Sequence, residues 1–321
     1  MVDGGNGLTH AALFYRDGAE YRAQILRFAR VGLSCGDPLF VALPGGAAHA
    51  LGDQLGSETG DFRCPDMAEV GRNPARIIPE LRAFIDKHAG QRVRIIAEPI
   101  WPGRSPAEIR EAIRHEALVN LAFSRVSAAF LCPFDVSRLA PSAIAGAGRT
   151  HPEHFGDAGP PALGARPPAP EGRPPAWQVP PECDVPLSGP PASAETIAYR
   201  TDLAPVRRLV EGHAQRAGLA ADRAADLVLA ASELAANTLG HTASGGMVQV
   251  WHDESEILCQ THDQGWISDP LAGRVRRAPG SRGHGLFLVN HVCDLVEMRT
   301  GRAGTTVRMH MSLRGDGRAA R

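Results

Sequence analysis

The sequence predicts two folded units of different construction joined by a proline-rich tether. Three observations carry this. Thirteen of the 26 prolines fall between His151 and Ser193. Before that stretch, short apolar runs alternate with runs of helical period, the pattern of an α/β fold with a doubly wound parallel sheet. After it, helices and strands follow a different order and end in a hairpin. Proline fixes its own φ and lacks an amide donor, so the 151–193 stretch can be neither helix interior nor central strand. It reads as an extended spacer, with a ligand for a proline-recognising domain as the lesser alternative. The expected boundaries are therefore a first domain at 1–150, a linker at 151–193, a second domain at 194–313 and a polar, disordered tail at 314–321.

Composition narrows the function. With 321 residues and 43% of them hydrophobic, the chain can bury real cores. A formal net charge of -1 argues against direct nucleic-acid binding, which usually shows a strongly basic domain. No run approaches the roughly 18 apolar residues of a membrane span. The start, MVDGGNGLTHAALF, lacks the basic opening and apolar core of a signal peptide, so a cytoplasmic location is expected. The six cysteines form no C-x-x-C pair and no local Cys/His cluster with metal spacing; buried free thiols are expected.

In the first domain, Ala11–Tyr15, Pro38–Pro44, Arg92–Glu98 and Ser127–Pro133 read as buried strands. Ala19–Leu33, Ala47–Leu55, Pro74–Ala89 and Ser105–Phe123 carry helical period, and Ser105-Pro106 is a cap followed by proline at the first helical position. Ligands of such folds bind beyond the carboxyl ends of the strands. There the sequence places Tyr15, Arg16, Pro44-Gly45-Gly46, Glu98 to Trp101 and Pro133-Phe134-Asp135. No G-x-x-x-x-G-K-[ST] loop is present. Glu98 is a candidate carboxylate, with a hydrogen-bonding role as the plainer reading.

The blocks HAALFYRDGAEYRAQILRFARVGLSCGDPLFVALP, DMAEVGRNPARIIPELRAFIDKHA, EPIWPGRSPAEIREAIRHEALVNLAF, LCPFD and RTHPEH occur in order over residues 9–155. Together they resemble the MEDS sensory domain, related to the RecA-like core. The resemblance implies a small-molecule effector at this domain and assigns no contact residue.

In the second domain, Leu227–Thr242 has one apolar helical face, from which Glu233 and Asn237 project together at i, i+4. A carboxylate and an amide so placed can hold a divalent cation and orient a hydroxyl group; His241 continues the row. Met247–His252 and Glu256–Asp263 read as strands, and Asp263 at a strand end can accept from an exocyclic amine beside the bare backbone of Gly265. Ile267–Arg282 is a long irregular stretch with Arg274, Arg276, Arg277 and Arg282. Gly283-His284-Gly285-Leu286 opens a helix to Cys293, where backbone amides favour phosphate. Leu295–Thr300 and Thr305–Met311 flank Gly301–Gly304 as a hairpin.

The ordered motifs ELAANTLGHT, DQGW, GHGLFLVNHVCD and GTTVRMHM resemble the GHKL ATPase fold, in the form of the anti-sigma-factor serine kinases of the RsbW and SpoIIAB type. The resemblance spans about residues 194–313. It implies an α+β sandwich of the GHKL (Bergerat) kind, ATP with Mg2+, and partner-switching control of transcription. The implied partners are a sigma factor and a STAS-type anti-sigma-factor antagonist, with a homodimer as the associated state. By position it implies Glu233 as general base and Asn237 as magnesium ligand. Asp263 and Gly265 would meet adenine; Gly283, Gly285, Leu286 and Thr305 would line the nucleotide. The implied reaction is attack by a partner serine on the γ-phosphate. One departure stands out: the wider D-x-G-x-G pattern is here Asp263-Gln264-Gly265-Trp266-Ile267, without its second glycine. Sequestration without catalysis is the alternative. A sensor histidine kinase using His115 is the third reading, which the linker between His115 and Glu233 disfavours.

Overall fold

The computed structural model describes residues 7–56, 61–155, 175–276 and 283–313. The chain divides into two compact units, Met1–Asp184 and Val185–Arg321.

The first unit is a parallel sheet in the order β3-β2-β4-β5-β1-β6. Its strands are β1 (Leu8–Tyr15), β2 (Leu39–Ala42), β3 (Phe62–Arg63), β4 (Val93–Ala97), β5 (Ala128–Asp135) and β6 (Glu153–His154). All eight residues of β5 are buried, as expected of a central parallel strand covered on both faces. On one face lie α1 (Gly18–Ser34) and α2 (Ala47–Leu55), packing Ile25, Phe28 and Leu51 against Ala11, Leu13, Leu39 and Val41. On the other lie α5 (Pro106–Ala122) and α6 (Pro141–Thr150), packing Ala112, Ile113 and Ala147 against Ala12, Cys132 and Phe134. The sheet is thus doubly wound, with α3 (Met67–Val70) and α4 (Ile77–Lys87) completing the crossovers. Ser105 caps α5 in a full capping box with Glu108. The run expected as one helix from Pro74 splits, because Asn73 caps a short 3-10 turn, Pro74–Arg76, before α4 begins.

The proline-rich stretch is not wholly a spacer. His151 to Phe155 stay with the first unit: β6 pairs with β1, and Phe155 donates its N–H to Ala12. Cys183 is fully buried in the core beneath α5 and α6, and Asp184 pairs with Arg114 at 2.8 Å. Val185 and Ser188 accept from Arg299 and Arg308 of the second unit. Residues 156–174 and the 314–321 tail lie outside the described residues.

The second unit is a five-stranded antiparallel sheet, β10-β11-β9-β8-β7. The strands are β7 (Glu195–Tyr199), β8 (Gly246–His252), β9 (Glu256–Asp263), β10 (Leu295–Gly301) and β11 (Gly304–Ser312). Helices α7 (Ala204–Arg216), α8 (Ala221–His241) and α9 (His284–Val292) share one apolar core with one face of this sheet. Val206, Val210, Leu227, Ala231 and Val289 meet Val248, Cys259, Val307 and Met309 there. Among the described residues, no helix is long and apolar enough to cross a membrane.

Candidate functional site

The core-facing stripe of α8 is Ala224, Leu227, Ala230, Ala231, Leu234, Ala235 and Thr238. That stripe fixes the helix rotation and leaves Glu233 and Asn237 at its edge, half-buried. The first turn of α9 lies against them. A Cβ on Gly285 would stand 2.7 Å from Glu233 Oε2, closer than real Cβ contacts come, and 3.0 Å from Asn237 Nδ2, tighter than most of them. Glycine is therefore what lets carboxylate, amide and helix backbone share one spot. Gly283, at φ 104° in the left-handed region, is the cap of α9. A glycine cap supplies no side-chain acceptor to the first-turn amides, an arrangement that suits a phosphate.

Asp263 ends β9, opposite Gly246 on one side and Thr305 on the other. Its Oδ2 accepts from Thr238 Oγ1 at 2.5 Å and its Oδ1 from the Gly265 N–H at 2.7 Å. Charge-assisted bonds of this kind hold a carboxylate in one orientation. Thr305 Oγ1 donates to the Gly265 carbonyl at 2.8 Å and lies 2.9 Å from Thr300 Oγ1, which accepts from the Ile267 N–H. Ile267 itself packs against the apolar core, so the position lacking the second glycine serves packing. Trp266 beside it is 72% exposed.

Glu233, Asn237, Gly283, Gly285 and Leu286 thus gather where α8 meets α9. Asp263, Gly265 and Thr305 gather at the ends of β9 and β11, and Thr238, one residue after Asn237, bridges α8 to Asp263. Sequence reading overlooks Thr238, although its place in the i+1 register after Asn237 is a usable signal. His241 is exposed in the last turn of α8 and joins neither group. In the irregular stretch, Arg274 is buried rather than solvated, and Asn290 donates to the Gly273 carbonyl at 3.0 Å. Arg276 stacks over Phe287 at 5.6 Å. Arg277 and Arg282 lie outside the described residues.

In the first unit, the strand ends bring Tyr15, Glu98 and Asp135 together. Glu98 is 4% exposed and accepts from Tyr15 Oη at 3.3 Å and Tyr21 Oη at 2.9 Å. Burial pushes its carboxyl up to about 7, against the lowering effect of the two tyrosine hydrogen bonds. Gly45 and Gly46 both take left-handed φ where β2 turns into α2. A pocket of about 240 Å³ between α1 and α2 is lined by Tyr21, Ile25, Leu26, Leu43, Ala47 and Leu51. His115 is 1% exposed within α5, a position closed to a phosphoryl donor.

Comparison with known proteins assigns both units. Residues 9–152 match the family described as MEDS, the MEthanogen/methylotroph, DcmR Sensory domain. Residues 198–311 match the histidine kinase-like ATPase domain. The chain therefore carries a MEDS sensory domain followed by a histidine kinase-like ATPase domain. No curated protein matches it. Among solved structures, similarity is found to the crystal structure of the RsbU and RsbW domains of Rv1364c from Mycobacterium tuberculosis. It has 19% identity over 38% of this chain, with a TM-score of 0.29. The matched part spans 32% of that chain.

Proposed function

We propose that the second unit binds ATP with Mg2+ and transfers the γ-phosphoryl group to a serine of an anti-sigma-factor antagonist of the STAS type. In this reading it also sequesters a sigma factor, and the first unit gates the exchange in response to a small-molecule effector. The supporting observation is the packing of Gly285 against Glu233 and Asn237, with Asp263 held by Thr238 and Gly265 nearby. The bare backbone at Gly285 and the carboxylate–amide pair form a donor set suited to a metal-bound phosphate. Asn237 would hold magnesium, which when bound supplies charge neutralisation at the phosphates. Asp263 would accept from the adenine amine, with Thr305 fixing Gly265 beneath the ring. Glu233 would take or orient the serine hydroxyl proton as its oxygen bonds to the γ-phosphorus and ADP leaves.

Ile267 in place of a second glycine favours a second reading, a nucleotide-dependent switch that sequesters its partners without phosphorylating them. Incubation with γ-labelled ATP and an antagonist protein separates the two. Labelled phosphoserine with wild type and none with Glu233→Ala, while nucleotide still binds, supports the kinase. No label with wild type, and equal partner binding by Glu233→Ala, overturns it in favour of sequestration.

A further inference from the structure

Four side chains from four separate elements of the first unit converge between the sheet and its helices. His10 comes from β1, Glu116 from α5, Cys132 from β5 and His151 from the end of α6. Each is at most 2% exposed, and one donor atom from each lies within 4.8 Å of all the others. His10 Nε2 is 3.1 Å from Glu116 Oε2, and His151 Nε2 is 3.5 Å from the same oxygen. Cys132 Sγ is 3.4 Å from His10 Nε2 and 3.6 Å from Glu116 Oε2. None of them belongs to the nucleotide site proposed for the second unit. Local spacing along the chain shows no metal motif, yet the fold assembles a thiol, two imidazoles and a carboxylate at one point.

The outer hydrogen bonds decide which way these groups face. His151 Nδ1 lies 2.8 Å from the Ala147 carbonyl, which can only accept, so Nδ1 carries the proton. Asn120 donates its amide nitrogen to the carbonyls of Glu116, Thr150 and Ala176, which fixes its oxygen toward His10 Nδ1 at 3.0 Å. With Nδ1 of each ring turned outward, both Nε2 atoms face the Glu116 carboxylate, and a neutral ring would offer it a lone pair. Its other oxygen, Oε1, is buried and accepts no hydrogen bond among the described residues. Lone pairs converging in a buried space repel one another unless a proton or a cation stands between them. Backbone carbonyls and amides that hold the outer nitrogen of a histidine are the usual second layer of a metal site.

We propose that His10, Glu116, Cys132 and His151 form a four-coordinate site for one zinc ion. Zinc bonds of about 2.3 Å to sulfur and about 2.0–2.2 Å to nitrogen or oxygen, at tetrahedral angles, imply donor separations of roughly 3.3–3.7 Å. Four of the six donor separations, 3.1, 3.4, 3.5 and 3.6 Å, lie within about 0.2 Å of that range, and the other two are within 4.8 Å. A thiolate, a carboxylate and two neutral imidazoles with a divalent ion sum to zero charge, as a buried site requires. Thiolate and imidazole select zinc over magnesium or calcium. Four protein ligands leave no open position, so the ion clamps β1, β5, α5 and α6 rather than performing catalysis. Burial, with Glu116 beside it, pushes the Cys132 thiol well above its ordinary value. Without an ion the sulfur stays protonated. An entering Zn2+ forms the Zn–S bond as the S–H bond breaks, and the proton leaves to solvent.

The test uses the full chain, stripped with a chelator and titrated with Zn2+ or with Co2+ as a spectroscopic substitute. The expected result is one ion per chain, a tetrahedral cobalt spectrum with a thiolate charge-transfer band, and at least one proton released per ion. Cys132→Ser should lose the charge-transfer band, and the His151→Gln/Cys132→Ser pair should lose the ion. Asn120→Ala, which keeps all four ligands, should weaken binding by about 10- to 100-fold. It serves as the second readout if a ligand variant fails to fold. A folded wild-type chain that takes up neither ion overturns the proposal. So does stoichiometric uptake that the double variant and Asn120→Ala leave unchanged.

Discussion

Replacing Gly285 by alanine isolates the packing on which the phosphoryl-transfer reading rests. Gly285 has an ordinary helical backbone, so alanine is allowed there and gains roughly 0.5–1 kcal/mol of helix preference. Its Cβ, however, would stand 2.7 Å from Glu233 Oε2 and 3.0 Å from Asn237 Nδ2, several tenths of an ångström inside ordinary contact. Both neighbours are ends of flexible side chains, so they retreat and the fold survives. The stability change should therefore stay within about 1 kcal/mol of wild type. In the proposed reading Glu233 and Asn237 serve the phosphoryl transfer, and their side chains would no longer stay in place. Misplacing such groups by about 1 Å costs on the order of 10²-fold in rate, or about 2.7 kcal/mol. Thermal unfolding and labelled phosphate transfer at saturating ATP, run on the same preparation, read the two effects separately. Unchanged transfer in folded Gly285→Ala would refute the assignment of this contact to the reacting centre.

Two further predictions concern pH. Glu98 is held near 7 by burial, above the ordinary carboxylate value, so ionising it opposes folding. Wild type should lose up to about 3 kcal/mol relative to Glu98→Gln as pH rises from about 4.5 to above 7; parallel denaturant profiles for the two proteins would contradict this. His310 is raised to about 9: burial lowers it, but hydrogen bonds to Glu256 and Glu297 outweigh that. Its contribution is complete below about pH 6.5 and is lost as pH passes 9. Chemical denaturation should thus show His310→Gln less stable than wild type at pH 6, with the difference closing by about pH 10.

Much of this was legible in the sequence for a physical reason. Buried parallel strands are near-continuous apolar runs, so Leu39–Ala42 and Ala128–Asp135 stand out. The i, i+4 spacing of Glu233 and Asn237 and the glycines around His284 keep their meaning at short range. Helix α6 is illegible because Pro141–Thr150 packs through small residues: a Cβ on Gly146 would stand 2.7 Å from Ile113, so no large apolar period marks its face. Strand β7 lies inside the expected second domain, but it is a half-exposed edge before a polar helix, and its weak alternation marks no strand in the sequence. The His10, Glu116, Cys132 and His151 cluster is hidden for another reason. Its members are scattered from one end of the unit to the other, and only the sheet order β5-β1-β6 and the docking of α5 and α6 unite them.

In the proposed function, the ends of β9 and β11, with α8 and α9, form a nucleotide site. Calorimetric titration of the full chain with ATP and Mg2+ tests it most directly, using Asp263→Ala and Glu233→Ala in parallel. A hydrogen bond to a charged group contributes about 1.5–3 kcal/mol, so Asp263→Ala should weaken ATP by roughly 10- to 150-fold. Glu233→Ala should still bind one nucleotide per chain. Failure of wild type to bind ATP, or equal affinity in Asp263→Ala, would contradict the account.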